Sequence, residues 1–206
     1  MLDEATDFYA AQALPVEYLE SRGITAAAAA SSRLGCASEV LPGHENFRDM
    51  LVIPYLVNGH TVSLKFRRPP GAEGPKYMGL PGQHPRLYGV DVLRQGAPTV
   101  AIVEGELDAV LMTHVIGVPA VGVPGANVWM KHHPRCFADV ERLLVVCDND
   151  VSTDGNPGQQ LAKKIVKDIR GATLIAPPEG DVTDWYLAEG RNAIRKALGV
   201  EGNVTC

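Results

Sequence analysis

Residues 99–123, TVAIVEGELDAVLMTHVIGVPAVGV, and residues 142–150, RLLVVCDND, decide the fold. Both open on a wholly apolar run, VAIV and LLVVC, that is closed by a carboxylate. Apolar residues without alternation mark strands buried on both faces, and such strands occur in parallel sheets covered by helices. GELDAVLMTHVIG carries its apolar residues at helical spacing, and VPAVGV is a further short apolar run. ATLIAP, at 172–177, repeats the strand pattern. Ahead of it the spacing predicts a helix, with Pro157 near its first turn, Leu161, Ala162, Ile165, Val166 and Ile169 on one face, and Gly171 at its end. DWYLAEG and NAIRKALG read as closing helices. The expectation over residues 96–206 is an α/β fold, an open, mostly parallel sheet with helices on both faces.

Residues 1–95 have a different texture. PPGAEGP and LPGQHP punctuate short strand-like runs, MLVIPYLV and TVSLKF, which predicts a smaller α+β lobe. PVEYLESRGIT reads as a short helix that starts at Pro15 and stops at Gly23, and the Ala26–Ala30 run as a second.

The chain of 206 residues carries 19 Lys and Arg against 24 Asp and Glu, a net charge of −5, which argues against coating nucleic acid by bulk attraction. The charge is uneven. Residues 48–86 hold Arg48, Lys65, Arg67, Arg68, Lys76 and Arg86 against Asp49 and Glu73, a net of +4 between two acidic flanks. That segment suits a local phosphate-contacting surface. The four cysteines are scattered, so no zinc site and no disulfide framework are expected, and Cys147 reads as a small core residue. The pair His132-His133 reads as solvated or capping, because consecutive residues point in different directions. No apolar run approaches the ~20 residues that span a bilayer. The acidic start MLDEATDFYA is not a signal peptide, so a cytoplasmic setting is expected, the host's if the chain is viral.

Ligands of open parallel sheets bind beyond the carboxyl ends of the strands. VAIV ends in Glu104, LLVVC ends in Asp148 with Asp150 two residues on, and ATLIAP leads into Asp181 and Asp184. Asp108 lies one turn after Glu104 and leans toward the same edge. An extended backbone through Asn149 would project Asp148 and Asp150 from the same side. Converging carboxylates repel one another unless a cation sits among them, and hard oxygen donors point to magnesium or manganese. Any one of these residues alone reads as a turn or helix cap. Three sets at three strand ends make that the lesser reading.

Rival motifs share some of these residues. Asp150, Ser152, Asp154 and Gly155 open like an EF-hand loop, but its twelfth position is Leu161 where a bidentate Glu is needed. A phosphatase of the haloacid dehalogenase type would make Asp148 a nucleophile and Asp150 its acid/base, yet its later motifs have no room and Glu104 stays unexplained. GVPGAN matches neither the dinucleotide nor the P-loop pattern.

VEGELDA, LLVVCDND and the late aspartates before WYLAEG together resemble the Toprim domain shared by topoisomerases, bacterial-type primases, and certain nucleases and repair proteins. YLESRGIT, RLGCA, VSLKFRR, PKYMGLPG and RLYGVDVL resemble, in that order, the polymerase core of DnaG-like primases, so the resemblance runs from about Val16 to Gly190. It implies that Glu104 binds metal or acts as general acid/base, and that Asp148 and Asp150 are metal ligands. It also implies that Asp108 is a further acidic position and Asp181 the first aspartate of the late cluster. Lys76 and Tyr77 match the P-K-Y element and Arg67 a basic residue of the preceding strand, positions that contact template or incoming nucleotide. Arg86 stands where the family often has a lysine. Lys65 belongs to the same basic segment, and Tyr77 or Phe66 is placed to stack a base.

The resemblance therefore implies a minimal primase that makes short RNA primers on single-stranded DNA from ribonucleoside triphosphates, with Mg2+ or Mn2+ and no membrane. The basic segment would guide the strand toward the carboxylates. No cysteine-rich zinc module precedes the core, so a replicative helicase or a separate zinc-module protein is the expected partner, in a phage or plasmid replication system. A Toprim nuclease and a non-catalytic module binding single strands or a helicase are the alternatives. A topoisomerase is disfavoured, since its cleavage-tyrosine domain has no room.

Overall fold

The structure, a computed structural model, describes residues 1–149 and 157–200 and divides the chain into two compact units, 1–85 and 86–206. Asp150 and the EF-hand-like positions Ser152, Asp154 and Gly155 lie outside the described residues.

The first unit joins three helices, α1 (Leu2–Ala10), α2 (Val16–Ser21) and α3 (Ala26–Ser31), to an antiparallel sheet. Its strands β1 (Gly35–Cys36), β2 (Leu51–Val57), β3 (His60–Arg67) and β4 (Tyr77–Gly79) lie in sequence order. Asn58 and Gly59 turn β2 into β3 with φ of 56° and 77°, the pair of positive values that a tight two-residue hairpin requires. Helix α1 has no counterpart in the expectations above, where its stretch is read only for its acidity. It forms because Ala5 and Tyr9 sit one turn apart and are buried in the lobe's core with Phe47, Met50, Val52, Leu64 and Phe66. Asp3 anchors it, accepting from the Thr61 amide at 2.6 Å. Packing is close. A Cβ on Gly35 would meet the backbone carbonyl of Tyr9.

In the second unit, β5 (Thr99–Val103), β6 (Ala120–Gly122), β7 (Arg142–Val146) and β8 (Thr173–Ile175) form a wholly parallel sheet in the order β6-β5-β7-β8. Helix α4 (Glu106–Val110) follows β5 and runs on as a π-helical turn to Ile116. Helix α5 (Pro157–Asp168) joins β7 to β8. Val100 and Ile102 of β5 pack with Leu161, Ala162 and Ile165 of α5, while Ala101 and Val103, on the other face, are buried too. Both faces of the central strands are therefore covered, which is why their sequence does not alternate. Helix α6 (Val182–Ala197) is interrupted at Gly190, where φ is 76°, and so delivers both closing helices.

Two expectations need adjusting. The break between units falls before Arg86 instead of at 95/96, because Leu87 and Val92 join the core of the parallel sheet. ATLIAP is not buried on both faces. Among the described residues β8 pairs only with β7, and its Thr173 and Leu174 are exposed. Of the histidine pair, His132 is exposed, whereas His133 is buried against Trp129 and accepts the Met130 amide at 3.1 Å, a capping role. Among the described residues no helix is long and apolar enough to cross a membrane.

Candidate functional site

β5 and β7 are hydrogen-bonded neighbours running in the same direction, so their carboxyl ends finish side by side. Glu104 follows β5 directly, and Asp148 stands two residues past the end of β7. The amide of Asp148 donates to Oε1 of Glu104 at 3.1 Å, and both residues are half-buried. The same Glu104 carboxylate lies against Gly158, the second residue of α5, where a Cβ would overlap it. Two adjacent strand ends and the first turn of a helix thus meet at one carboxylate.

Cys147 sits between these chains of contact. Its thiol donates to the Ile175 carbonyl at 3.6 Å, and burial, followed by the negative charge of Glu104, pushes its pKa up. The thiol is buried and turned to that carbonyl, whereas the half-buried side chains of this edge, Glu104 and Asp148, offer oxygens. Two hard carboxylates on neighbouring strand ends fit Mg2+ or Mn2+. Among the described residues no three of His, Cys, Asp and Glu gather at metal-binding distance, and Asp150, the remaining expected ligand, lies outside them.

Asn149 fixes what comes next to the pair. Its amide donates to the Gly180 carbonyl at 2.7 Å, and its Nδ2 donates to the carbonyls of Pro177 and Pro178 at 3.0 and 3.1 Å. The loop that leads into Asp181 is thereby clasped to the segment that carries Asp148. Asp181 is the N-cap of α6. Its Oδ1 accepts the Asp184 amide at 2.9 Å while Asp184 Oδ2 accepts the Asp181 amide at 3.1 Å, a reciprocal capping box. A cleft of about 800 Å³ opens here, lined by Asn149, Gly180, Asp184, Trp185 and Leu187 among others. Its volume suits a small-molecule ligand.

Asp108, on the first turns of α4, is buried and accepts from the Thr183 hydroxyl of α6 at 3.4 Å. It ties two helices together behind the strand ends.

Three basic residues of the first unit, Lys65, Arg67 and Lys76, gather around Tyr77 of β4. Lys65 and Arg67 are two apart on β3, and Arg67 registers with Tyr77 of β4. The Arg67 guanidinium donates to the Tyr77 hydroxyl and lies 5.1 Å from the Tyr77 ring centre and 5.3 Å from that of Tyr18. Lys65 Nζ stands 4.3 Å over the Tyr77 ring, and Lys76 Nζ 5.7 Å from it. Tyr77 thus gathers three cations, as an aromatic face does by its quadrupole. Phe66 does not share this surface. It is wholly buried and stacks on Phe47 with ring centres 3.9 Å apart, so it is a core residue and stacks no base. Arg86 is exposed and belongs to the second unit.

Asn149, Gly158, Thr183 and Tyr18 also belong to these sites and have no place among the site residues expected above. Only Gly158 left a signal, since a glycine inside a first helical turn forfeits helix propensity and asks for a reason.

The Gene 57 protein of Mycobacterium phage D29 is 34% identical to this chain over 158 residues, which cover 74% of this chain and 99% of that protein. No family model matches the chain. The Aquifex aeolicus primase, with its zinc-binding and RNA polymerase domains, superposes with a TM-score of 0.76 at 19% identity, over 98% of this chain and 60% of that one. The chain therefore spans about three fifths of that two-domain protein. A DNA primase domain from Pseudomonas aeruginosa gives 0.74 at 23% identity, over 96% of this chain and 77% of that one. A DnaG primase catalytic domain bound to single-stranded DNA gives 0.73 at 20% identity, over 96% and 76%. This chain belongs to the family of the phage Gene 57 protein and has the fold of the DnaG primase catalytic core.

Proposed function

We propose that this chain is a primase-type nucleotidyltransferase that joins ribonucleotides on single-stranded DNA at the edge bearing Glu104 and Asp148. The reading is supported above all by the 3.1 Å contact between the Asp148 amide and Glu104 at two adjacent parallel strand ends, within a DnaG core fold. Glu104, Asp148 and, from beyond the described residues, Asp150 would hold Mg2+ or Mn2+. The ion would supply a polarised 3′-hydroxyl and charge neutralisation at the triphosphate. The chain's own part is to hold Glu104 and Asp148 at adjacent strand ends and to leave room in the cleft by Asn149 and Gly180.

Lys65, Arg67 and Lys76 would neutralise backbone phosphates, with Tyr77 holding the cations in one group. Arg86 would add a further phosphate contact. A DnaG catalytic domain of the same fold is bound to single-stranded DNA, which supports this assignment. The DnaG core fold supports a role in replication, and the relative from a phage supports placing it in a phage system; there the chain would act in the host cytoplasm, with helicase coupling or a zinc module supplied in trans.

The experiment follows labelled ribonucleotides on single-stranded DNA with Mg2+ or Mn2+, comparing the native chain with Asp148→Ala/Asp150→Ala. Short metal-dependent RNA products that vanish in the variant are expected. Degraded DNA would move the activity to a nuclease. Binding of DNA without product of either kind would leave a binding module and end the polymerase reading.

A further inference from the structure

Gly158 is buried in the first turn of α5, and its φ lies outside the left-handed region, so backbone freedom does not account for a glycine there. Space does. A Cβ built on it overlaps both carboxylate oxygens of Glu104 and stands 2.5 Å from that residue's Cδ. Glycine gives up about 1 kcal/mol of helix propensity against alanine in a helix interior, so its presence here needs a local gain. The first turn of a helix favours a carboxylate through its free amides and dipole. Oε1 of the same carboxylate, the atom that Cβ would meet first, accepts the Asp148 amide at 3.1 Å.

We propose that Gly158 is a positioning residue for Glu104: the missing side chain leaves a seat between the first turn of α5 and the Asp148 amide, and that seat sets where Glu104 presents its oxygens to a divalent cation. The inference rests on the reading of Glu104 as a metal ligand given above. The atom in the way is the tip of a flexible side chain, so Gly158→Ala leaves the fold intact and turns Glu104 out of its seat. Seat and metal are then separable by measurement.

Mn2+ binding, read from the electron paramagnetic resonance of free Mn2+, would be compared in the native chain, Gly158→Ala and Glu104→Gln. Metal-free thermal melts would be run on the native chain, Gly158→Ala, Glu104→Ala and the double variant Glu104→Ala/Gly158→Ala. Weakening of Mn2+ binding by roughly 10- to 100-fold in Gly158→Ala is expected, the range typical when a ligand's supporting residue is changed. In the melts, alanine at 158 should raise the transition more in the Glu104→Ala background than in the native one, since only there is the seat empty. Equal Mn2+ affinity in Gly158→Ala, or the same shift in both backgrounds, overturns the proposal. A native chain that binds no Mn2+ overturns the metal reading and this proposal's metal role with it, while the melts still judge the seat itself.

Discussion

The amide of Asp148 and Oε1 of Glu104 lie 3.1 Å apart, joining the ends of two parallel strands through a donor and an acceptor that are 44 positions apart in the chain. The bond costs Glu104 no charge and leaves the Asp148 carboxylate out of it. A backbone N–H thereby meets an acidic side chain across two strand ends, a charge-assisted contact.

Replacing Glu104 by Gln tests the chemistry apart from this bond. The amide oxygen still accepts from Asp148, so thermal unfolding should stay near that of the native chain. Primer synthesis should fall by roughly 10²-fold or more, the scale of a lost acid/base or ligand group. Gel analysis of labelled products beside a melting curve checks both halves.

Asp181 is separable into cap and ligand. Asp181→Ala removes the acceptor for the Asp184 amide and should lower stability by about 0.5–2 kcal/mol, read by urea denaturation. Asp181→Asn keeps that acceptor and should be close to native in stability. If synthesis nonetheless collapses in the Asn variant, the carboxylate acts on metal as well as on the helix.

The basic face should show itself in salt dependence. Lys76 is exposed, and Lys76→Ala should weaken binding of single strands evenly across sequences, with the slope of log K against log salt reduced by about 0.7. Titrations of a fluorescent oligonucleotide at several salt concentrations measure it. Phe66→Ala should instead unfold the lobe, at about 3–5 kcal/mol for a large core aromatic.

Acid should loosen α1 from β3. The Thr61 amide, and then His60, hold the Asp3 carboxyl at about 2, below its ordinary value. A carboxyl lowered by folding contributes its stabilisation above the unfolded value near ~3.9, and the contribution is lost as pH falls toward about 2. Denaturation midpoints between those limits should fall more steeply in the native chain than in Asp3→Asn, whose side chain does not titrate.

The parallel sheet was legible because β5 and β7 are buried on both faces and therefore lack alternation, and the carboxylates at their ends were legible because such strands stop where the apolar run stops. β8 misled for the same reason. Its run is as apolar as an inner strand's, yet an edge position depends on what pairs beside it, which composition does not record. Helix α1 is hard to read because its buried face is short, with Ala5 and Tyr9 one turn apart among acidic residues, and it is the contact of Tyr9 with Phe66 across the lobe that buries it.

The strand-and-helix alternation, the strand-end positions of Glu104 and Asp148, and the basic segment follow from residue order alone, since periodicity and charge are local properties of the chain. It takes the folded chain to make Phe66 core while Tyr77 gathers the cations, to set Asp181 as a helix cap, and to rest Glu104 against Gly158. Those outcomes depend on which distant atoms occupy the few ångströms around a side chain, and strand register and helix packing set that distance.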